Sequence, residues 1–246
     1  MEFEQAVIFA GGRGERLRPL TDSIPKPMAP INGRPFADYL LTMLREAGIK
    51  RVLFLLGYKA EKVVERYTTI KIDGLKIDYS VGTAEDQTGR RLINAYGKLE
   101  DKFLLLYGDN YWSLPLAGMK ENYERLKCPL TTTVFSNKKG TSEYGFDNNV
   151  MVNAENRVVA YDKSRSMPGL NGVDIGFFLV DKKIIDPGVG ENISFEEIIL
   201  AGKAKEGRLG AFMTDEQYYY ITTFDTLKVF EQTVKQQAIA IFKEGL

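Results

Sequence analysis

The sequence contains no histidine and a single cysteine, Cys128. One cysteine excludes an internal disulfide framework, and the absence of histidine removes the usual zinc ligand, triad base and pH switch. Any chemistry must therefore use carboxylates, lysines, arginines and backbone amides. Cys128 precedes Pro129 where a strand is predicted to start, and we expect an inert, buried thiol there.

The chain also lacks net charge and long apolar runs. Lysine plus arginine and aspartate plus glutamate both total 33, so no overall field attracts nucleic acid or an anionic membrane, and we expect neither as a partner. No run reaches the roughly 18 apolar residues of a membrane span. The first residues, "MEFEQAVIFA", are acidic and unlike a signal peptide, so a cytoplasmic location is expected.

What is present fits an ordinary α/β protein of 246 residues, 44% of them apolar and 27% charged. Apolar runs typical of strands alternate with amphipathic segments, which predicts a mostly parallel sheet with helices on both faces. The alternating segments are "QAVIFA", "FADYLLTMLREAGI" capped by Gly48, "RVLFLLG", "AEKVVERY", "LKIDYS", "GRRLINAYGKL" and "KFLLLYGDN".

The second half is richer in predicted strands, such as "VDIGFFLV", and contains two amphipathic segments, "SFEEIILAGKAKEG" and "TLKVFEQTVKQQAIAIFKEG", that predict helices. We predict one domain, 1–246, whose halves share one sheet. The front half, about 1–127, would bind a nucleotide, and the mixed α/β back half, about 128–246, would bind its partner substrate.

A basic, glycine-punctuated segment follows the first predicted strand. Gly11, Gly12 and Gly14 let a backbone approach a ligand closely, at the sheet edge where doubly wound folds bind ligands. Cations follow, and Pro25 and Pro27 are expected to hold Lys26 on extended chain. The segment matches neither a Walker loop nor a dinucleotide-binding turn. A triphosphate site and a solvated surface loop both remain open on these residues alone.

The segment "AGGRGERLRPLTDSIPKPMAPINGRPFADY" resembles the N-terminal signature of the sugar-1-phosphate nucleotidyltransferases, GGxGTRLxPLTxxxPKPxxPxxxKP, with Glu15 for the common threonine and Arg34 for the common lysine. The resemblance implies a Rossmann-like fold and an enzyme that makes an NDP-sugar and pyrophosphate from an NTP and a sugar 1-phosphate. It also implies that Arg16 and Lys26 contact the phosphates. Ala10 and the three glycines of the loop would line the nucleotide.

A magnesium site is implied as well. Asp109, in "FLLLYGDN", matches the aspartate that holds the ion in this family, although by itself it is an ordinary residue for a strand end. For the second ligand two alignments are open: one puts Asp225 of "TFDTL" on the metal, and the other puts Tyr220 there. Asp225 also precedes a predicted helix, where an N-cap is the alternative.

Base and sugar residues follow from the same resemblance. "QTGRRL" is similar to the cytidylyltransferase branch, which would put Thr88 and Gly89 against the base, whereas "PKPMAPING" and "ISFEEIIL" are closer to manno-heptose 1-phosphate guanylyltransferases. Arg90 and Arg91 open a predicted helix, and the alternative for them is a solvent-exposed helix face with no role in binding. Tyr144 and Gly145 would border the sugar, and Lys163 would hold its phosphate. Asp174, which stands where the family has asparagine, would also contact the sugar. The alternative for its segment is a core strand.

Further departures from the family pattern are Asp162 for glutamate and Ser164 for proline. The departures at Glu15, Asp162 and Asp174 leave open a catalytically silent subunit that senses nucleotide sugars. A separate alternative is a nucleotidyltransferase for a non-sugar phosphate such as phosphocholine. Tyr218 to Tyr220 predict a half-exposed strand, which leaves a homo-oligomer open.

Overall fold

The computed structural model describes residues 3–237 and 239. In chain order the strands and helices are β1 Gln5–Ala10, β2 Pro30–Ile31, β3 Arg34–Pro35, α1 Phe36–Glu46, β4 Arg51–Leu56, α2 Ala60–Thr69, β5 Lys76–Val81, α3 Thr88–Asn94, β6 Lys102–Tyr107, β7 Asn110–Tyr111, α4 Leu116–Leu126, β8 Leu130–Phe135, β9 Val150–Val152, β10 Val158–Tyr161, β11 Val173–Asp181, α5 Ala201–Lys205, β12 Leu209–Thr214, β13 Tyr219–Tyr220 and α6 Phe224–Gln236.

Seven of these strands form one sheet in the order β12-β8-β11-β6-β1-β4-β5. β1, β4 and β5 run parallel, as do β12 and β8, whereas β11 is antiparallel to β8. The predicted mixed α/β fold with a mostly parallel central sheet is therefore confirmed.

β1 shows why the sequence pattern predicted a central strand. All six of its residues are buried, as expected for a strand covered on both faces. Its register with β4 runs from Gln5 opposite Arg51 to Ala10 opposite Leu56. α1 ends close to Gly48, which takes the left-handed backbone (φ +86°) that favours glycine after a helix.

The chain forms two compact units. Unit 1 comprises 1–86, 106–114 and 219–246, and unit 2 comprises 87–105 and 115–218. Unit 1 contains an aromatic cluster around Phe230 of α6, whose ring centroid lies 5.2 Å from that of Phe36 and 5.0 Å from that of Tyr111. Tyr39 and Tyr219 also contact Phe230. The cluster anchors α6 on α1 and on the β7–β13 ribbon.

Several local predictions need correction. The predicted helix "SFEEIILAGKAKEG" is divided into a π-helical segment, Phe195–Leu200, and the short α5. The expected solvated position of Arg91 is wrong, because its side chain is buried in α3. Tyr218 is buried as well, so only Tyr219 and Tyr220 form the expected half-exposed strand.

The predicted C-terminal helix is present as α6 up to Gln236. Its predicted continuation through 238 and 240–246 lies outside the described residues. Within the described part of the chain, no helix has the length and apolar character needed to cross a membrane.

Candidate active site

The glycine-rich loop leaves the carboxyl end of β1 and is tied to other parts of unit 1. The carbonyl of Gly11 accepts a hydrogen bond from the backbone N–H of Tyr58 at 3.0 Å. The Tyr58 hydroxyl donates to the carbonyl of Thr21 at 2.9 Å, and the Thr21 hydroxyl donates to the carbonyl of Gly14 at 3.0 Å. These bonds preorganise the loop without using its arginine or lysine side chains.

Gly14 and Gly12 differ in what the fold requires of them. Gly14 has φ +63°, and a Cβ there would lie 3.0 Å from Thr21 and 3.2 Å from the Cβ of Lys26. At Gly12 a Cβ would meet nothing within 4 Å. The fold therefore accounts for glycine at position 14, and no described residue demands one at position 12.

Lys26 begins a single 3-10 turn, Lys26–Met28, preceded by Pro25 in extended backbone. The predicted extended conformation at Lys26 is thus wrong, because the φ that Pro27 fixes also suits the first turn of a helix. The turn closes through the N–H of Met28, which donates to the carbonyl of Pro25 at 2.8 Å. The turn directs the Lys26 side chain inward, where it is only 14% exposed.

Asp109 reaches Lys26 because of the glycine before it. The N–H of Gly108 donates to the carbonyl of Phe9 at 2.9 Å, and a Cβ at Gly108 would lie 2.5 Å from that oxygen. Only glycine permits this approach to the end of β1. The Lys26 Nζ then donates to the Asp109 Oδ2 at 2.6 Å, a charge-assisted bond between residues far apart in the sequence.

Asp225 and Tyr220, the two candidates for the second metal ligand, lie in 219–246, the last segment of unit 1. The N–H of Ile221 donates to the carbonyl of Asp109 at 3.0 Å, and Tyr220 pairs with Asn110. α6 begins with Thr223 as its N-cap in a capping box with Thr226, so the N-cap alternative for Asp225 is wrong.

Asp225 lies in the first turn of α6, where a carboxylate complements the helix dipole, and is exposed. No hydrogen bond or ion pair joins it to another of the residues that the structure describes. Tyr220, the other candidate from sequence, is held in the ribbon beside Asp109.

The remaining cations of the loop lie at the surface. Arg16 is an exposed residue of the 3-10 turn Glu15–Leu17. The Arg13 guanidinium lies over the Tyr58 ring at 5.6 Å, and its Nη2 pairs with the Glu85 Oε1 at 2.5 Å. This pair lowers the pKa of Glu85. Of the loop cations, only Lys26 pairs with Asp109 among the described residues.

Magnesium fits this donor set. No group of three or more potential metal-binding side chains occurs in the described ranges, but magnesium needs only one or two protein carboxylates when phosphate oxygens and waters complete its shell. Asp109 is 32% exposed and already holds a cation, the Lys26 ammonium, on one oxygen. Asp109 could supply one such carboxylate. No contact among the described residues joins it to Asp225, the candidate for the second.

In unit 2, Thr88 and Gly89 open α3 and have partners within that unit. The Thr88 hydroxyl donates to the Glu196 Oε2 at 2.7 Å and accepts from the N–H of Phe195 at 2.9 Å. A Cβ at Gly89 would lie 2.8 Å from the carbonyl of Ile193. Both residues therefore have a packing role between α3 and 193–196, besides the predicted contact with a base.

Lys163 belongs to a loop built around Asp162. The Asp162 carboxylate accepts from the N–H groups of Ser164, Ser166 and Met167 at 3.0, 2.9 and 2.8 Å, and from both serine hydroxyls. These donors hold the pKa of Asp162 well below its usual range. Lys163 itself is half-exposed and lies 3.8 Å from Glu197.

The same loop presents Arg165 against the predicted sugar-binding residues. The Arg165 guanidinium lies 3.9 Å from the centroid of the Tyr144 ring, and its Nη1 donates to the carbonyl of Asp147 at 2.6 Å. Gly145 follows with φ +61°, and its carbonyl accepts from the Ser142 hydroxyl and the Asn137 amide. Tyr144 and Gly145 thus lie on a turn fixed from both sides.

Asp174 is a buried carboxyl group of unit 2 whose pKa is raised. It is 8% exposed, and burial raises its pKa to about 7 despite hydrogen bonds from the N–H of Gly176 and the hydroxyl of Thr132. Glu196 raises the pKa further, and Arg165 lowers it. Sequence reasoning identified Asp174 but missed Arg165 and Glu196, because only the fold brings these three charges together.

The sequence profile of the nucleotidyl transferase family matches residues 5–185, well over half of the chain. The chain belongs to this family and is a nucleotidyltransferase.

Its relatives include both branches that the sequence resembles. The chain is 29% identical to D-glycero-alpha-D-manno-heptose 1-phosphate guanylyltransferase of Aneurinibacillus thermoaerophilus, over 87% of this chain and 91% of the relative. It is 28% identical to the probable glucose-1-phosphate cytidylyltransferase of Bacillus subtilis, over 91% and 92%. The crystal structure of HddC from Yersinia pseudotuberculosis has the same fold, with a TM-score of 0.79 at 24% identity, over 94% of this chain and 99% of HddC.

Proposed function

We propose that this enzyme transfers a nucleotidyl group from an NTP to a sugar 1-phosphate and releases pyrophosphate, with cytidylyl or guanylyl transfer favoured. The observation that carries the proposal is the 2.6 Å contact between Lys26 and Asp109 beside the glycine-rich loop. It brings together, at the end of β1, the lysine proposed to bind phosphate and the carboxylate proposed to hold the metal. The relatives named above are similar enzymes that act with different bases.

In the proposed reaction a phosphate oxygen of the sugar 1-phosphate forms a bond to the α-phosphorus of the NTP. The bond between that phosphorus and the bridging oxygen breaks, and pyrophosphate leaves with the electron pair. The attacking phosphate is already an anion at neutral pH, so no histidine or other base is needed. Catalysis then depends on position and on compensation of negative charge.

Each predicted residue has a role in that scheme. The backbone from Ala10 through Gly14 would cradle the triphosphate, and Arg16 and Lys26 would stabilise charge on the phosphates. Asp109 and Asp225 would hold magnesium, which supplies further compensation of phosphate charge. Thr88 and Gly89 would border the base, and Tyr144, Gly145, Lys163 and Asp174 would bind the acceptor.

The test is pyrophosphate release from a panel of NTPs and sugar 1-phosphates, with Lys26→Ala as the diagnostic variant. Turnover should fall by a factor on the order of a hundred to a thousand, as for removal of other preorganised groups that stabilise a developing charge. Lys62→Ala, an exposed lysine of α2 in the same unit, is the matched control and should retain activity. Near-normal turnover of the Lys26 variant would refute the proposed site, and wild-type protein that binds nucleotide without releasing pyrophosphate would favour the silent sensor.

A further inference from the structure

Lys26 and Asp109 form an ion pair that the fold keeps largely out of water. The Lys26 Nζ lies 2.6 Å from the Asp109 Oδ2, and the two side chains are 14% and 32% exposed. Among the residues that the structure describes, neither side chain takes part in another ion pair. The free protein therefore holds the proposed phosphate-binding cation on the proposed metal-binding carboxylate.

The backbone fixes both partners of this pair. The Lys26 stem passes beside Gly14, where a Cβ would lie 3.2 Å from the Lys26 Cβ, and the N–H of Ala29 donates to the Lys26 carbonyl at 3.0 Å. The Asp109 carbonyl accepts from the N–H of Ile221, also at 3.0 Å. Because both backbones are fixed and both side chains are partly buried, this contact should be stronger than a pair between exposed side chains.

The pair occupies groups that two ligands of the proposed reaction would need. A divalent cation at Asp109 would compete with the Lys26 ammonium for a carboxylate oxygen, and the two positive charges would repel each other. A polyphosphate would compete for Lys26, and the negative charge of Asp109 would oppose its approach. Each partner of the pair therefore masks the other from its ligand.

A polyphosphate and a metal that bind together remove both obstacles. The polyphosphate offers Lys26 several anionic oxygens in place of one carboxylate, and its oxygens also complete the coordination shell of the metal. A divalent cation alone brings no replacement partner for Lys26. The pair thus favours joint binding of metal and polyphosphate over binding of either one alone.

We propose that Lys26 is an internal counterion of Asp109 in the free enzyme, and that a metal takes its place only when a polyphosphate binds Lys26. The inference rests on the proposed function, which assigns phosphate to Lys26 and the metal to Asp109. It adds a device that couples the two ligands through one exchangeable ion pair. A purely structural pair would behave differently, because loss of either partner would then weaken the binding of both ligands.

The first experiment measures the binding of Mn²⁺ alone, a metal that suits the same oxygen ligands as magnesium, from the electron paramagnetic resonance signal of the free ion. Lys26→Met keeps an unbranched apolar stem and should bind Mn²⁺ about tenfold or more tightly than the wild-type protein, the scale of a hydrogen bond to a charged group. Lys62→Met removes the same charge from the exposed face of α2 and should leave Mn²⁺ binding unchanged. Adding Asp109→Asn to Lys26→Met should abolish the gain.

Two results of this experiment would overturn the inference. One is a Lys26→Met protein that binds Mn²⁺ no more tightly than the wild-type protein. The other is a gain that survives Asp109→Asn, because the ion would then bind elsewhere.

The second experiment tests the other partner and does not depend on the folding of a Lys26 variant. Inorganic tripolyphosphate is titrated calorimetrically in the presence of EDTA, so that no metal contributes. Asp109→Asn should bind it about fivefold or more tightly than the wild-type protein, because Lys26 loses its counterion. Asp78→Asn, an exposed carboxylate of β5 that pairs with Lys76, is the control and should keep the wild-type Kd. Equal or weaker tripolyphosphate binding by Asp109→Asn would contradict the proposed masking.

Failure of the inference and failure of the proposed function are distinguishable. Pyrophosphate release by the wild-type protein, with Mn²⁺ and tripolyphosphate affinities that the variants do not raise, removes only the inference about the ion pair. No pyrophosphate release with any acceptor and any NTP removes the proposed function and the inference with it.

Discussion

Asp174 opposes folding when it is ionised. Its pKa is raised from 3.8 to about 7, so the folded protein binds this proton more tightly than the unfolded chain does. Its contribution to the free energy of unfolding therefore falls as pH rises from about 4 to about 7. The negative charge of Glu196 raises the pKa of Asp174 further, and the positive charge of Arg165 lowers it.

Asp174→Asn should therefore stabilise the protein more at alkaline than at acidic pH. The expected gain in free energy of unfolding is up to about 4 kcal/mol at about pH 8 and close to zero at about pH 4. Urea unfolding at the two pH values measures it.

Asp215→Asn is the control of opposite sign. Ser136 and Lys138 lower the pKa of Asp215, so its charge favours folding above its ordinary pKa, and its removal should give no gain at about pH 8. A gain for Asp174→Asn that is equal at both pH values would contradict the account of its burial.

Substitutions at Gly108 and Gly12 distinguish a glycine required by the fold from one that a ligand would require. Gly108→Ala should destabilise the protein by about 1–3 kcal/mol, because its Cβ would lie 2.5 Å from the Phe9 carbonyl. Gly12→Ala should leave stability unchanged, since its Cβ would meet nothing within 4 Å, yet lower turnover if polyphosphate approaches that backbone. Thermal unfolding and pyrophosphate release measure the two effects. Full activity in Gly12→Ala would show that no ligand comes close there.

Among the elements, the loop after β10 depends on one carboxylate. Asp162 accepts three backbone N–H groups and two serine hydroxyls, and the loop carries both Lys163 and Arg165. These five hydrogen bonds contribute to the order of the loop. The π-helical segment combines a local bond with packing: Ser194 accepts from the N–H of Glu197 at 3.2 Å, and Phe195 is buried with its ring centroid 5.2 Å from that of Phe178.

Asp162→Ala should loosen this loop and weaken acceptor binding. We expect KM for the acceptor to rise about tenfold with a smaller change in KM for the NTP, because several hydrogen bonds of about 1 kcal/mol each are lost. Hydrogen exchange of the amides at 164, 166 and 167 should accelerate. Glu155→Ala, in the exposed turn between β9 and β10, should change neither quantity. Unchanged exchange in the Asp162 variant would show that other contacts order the loop.

For the whole molecule, nucleotide binding should raise the free energy of unfolding and therefore Tm. A ligand that binds only the folded state at about a hundred times its Kd adds about 2.7 kcal/mol, which raises Tm by about 5–10 °C for a chain of this size. CTP, GTP, UTP and dTTP with magnesium form the screen, and one of them should give the largest shift. Lys26→Ala should reduce that shift and Lys62→Ala should not. Equal shifts for all four would leave the base undecided between the two branches of relatives.

Much of the fold could be predicted because its signals are local. The buried run of β1, the amphipathic α1 and the left-handed glycine at 48 each express a preference that a few neighbouring residues fix. The signals failed at Lys26, where proline suits two conformations, and at Arg91 and Tyr218, where burial depends on neighbours that are distant in the sequence. The division of one predicted helix into π-helical and α-helical parts has no comparable signal in the pattern of apolar residues.

The sequence by itself determined the strand-to-loop transition at Gly11, the supply of cations after it, and the chemistry available to a protein without histidine. Tertiary structure decided which of those cations meets Asp109, and it also brought Asp174, Glu196 and Arg165 into one cluster. The physical reason is that charge pairing and burial depend on distances between residues far apart in the chain. Those distances are set only when the strands have paired and the helices have packed.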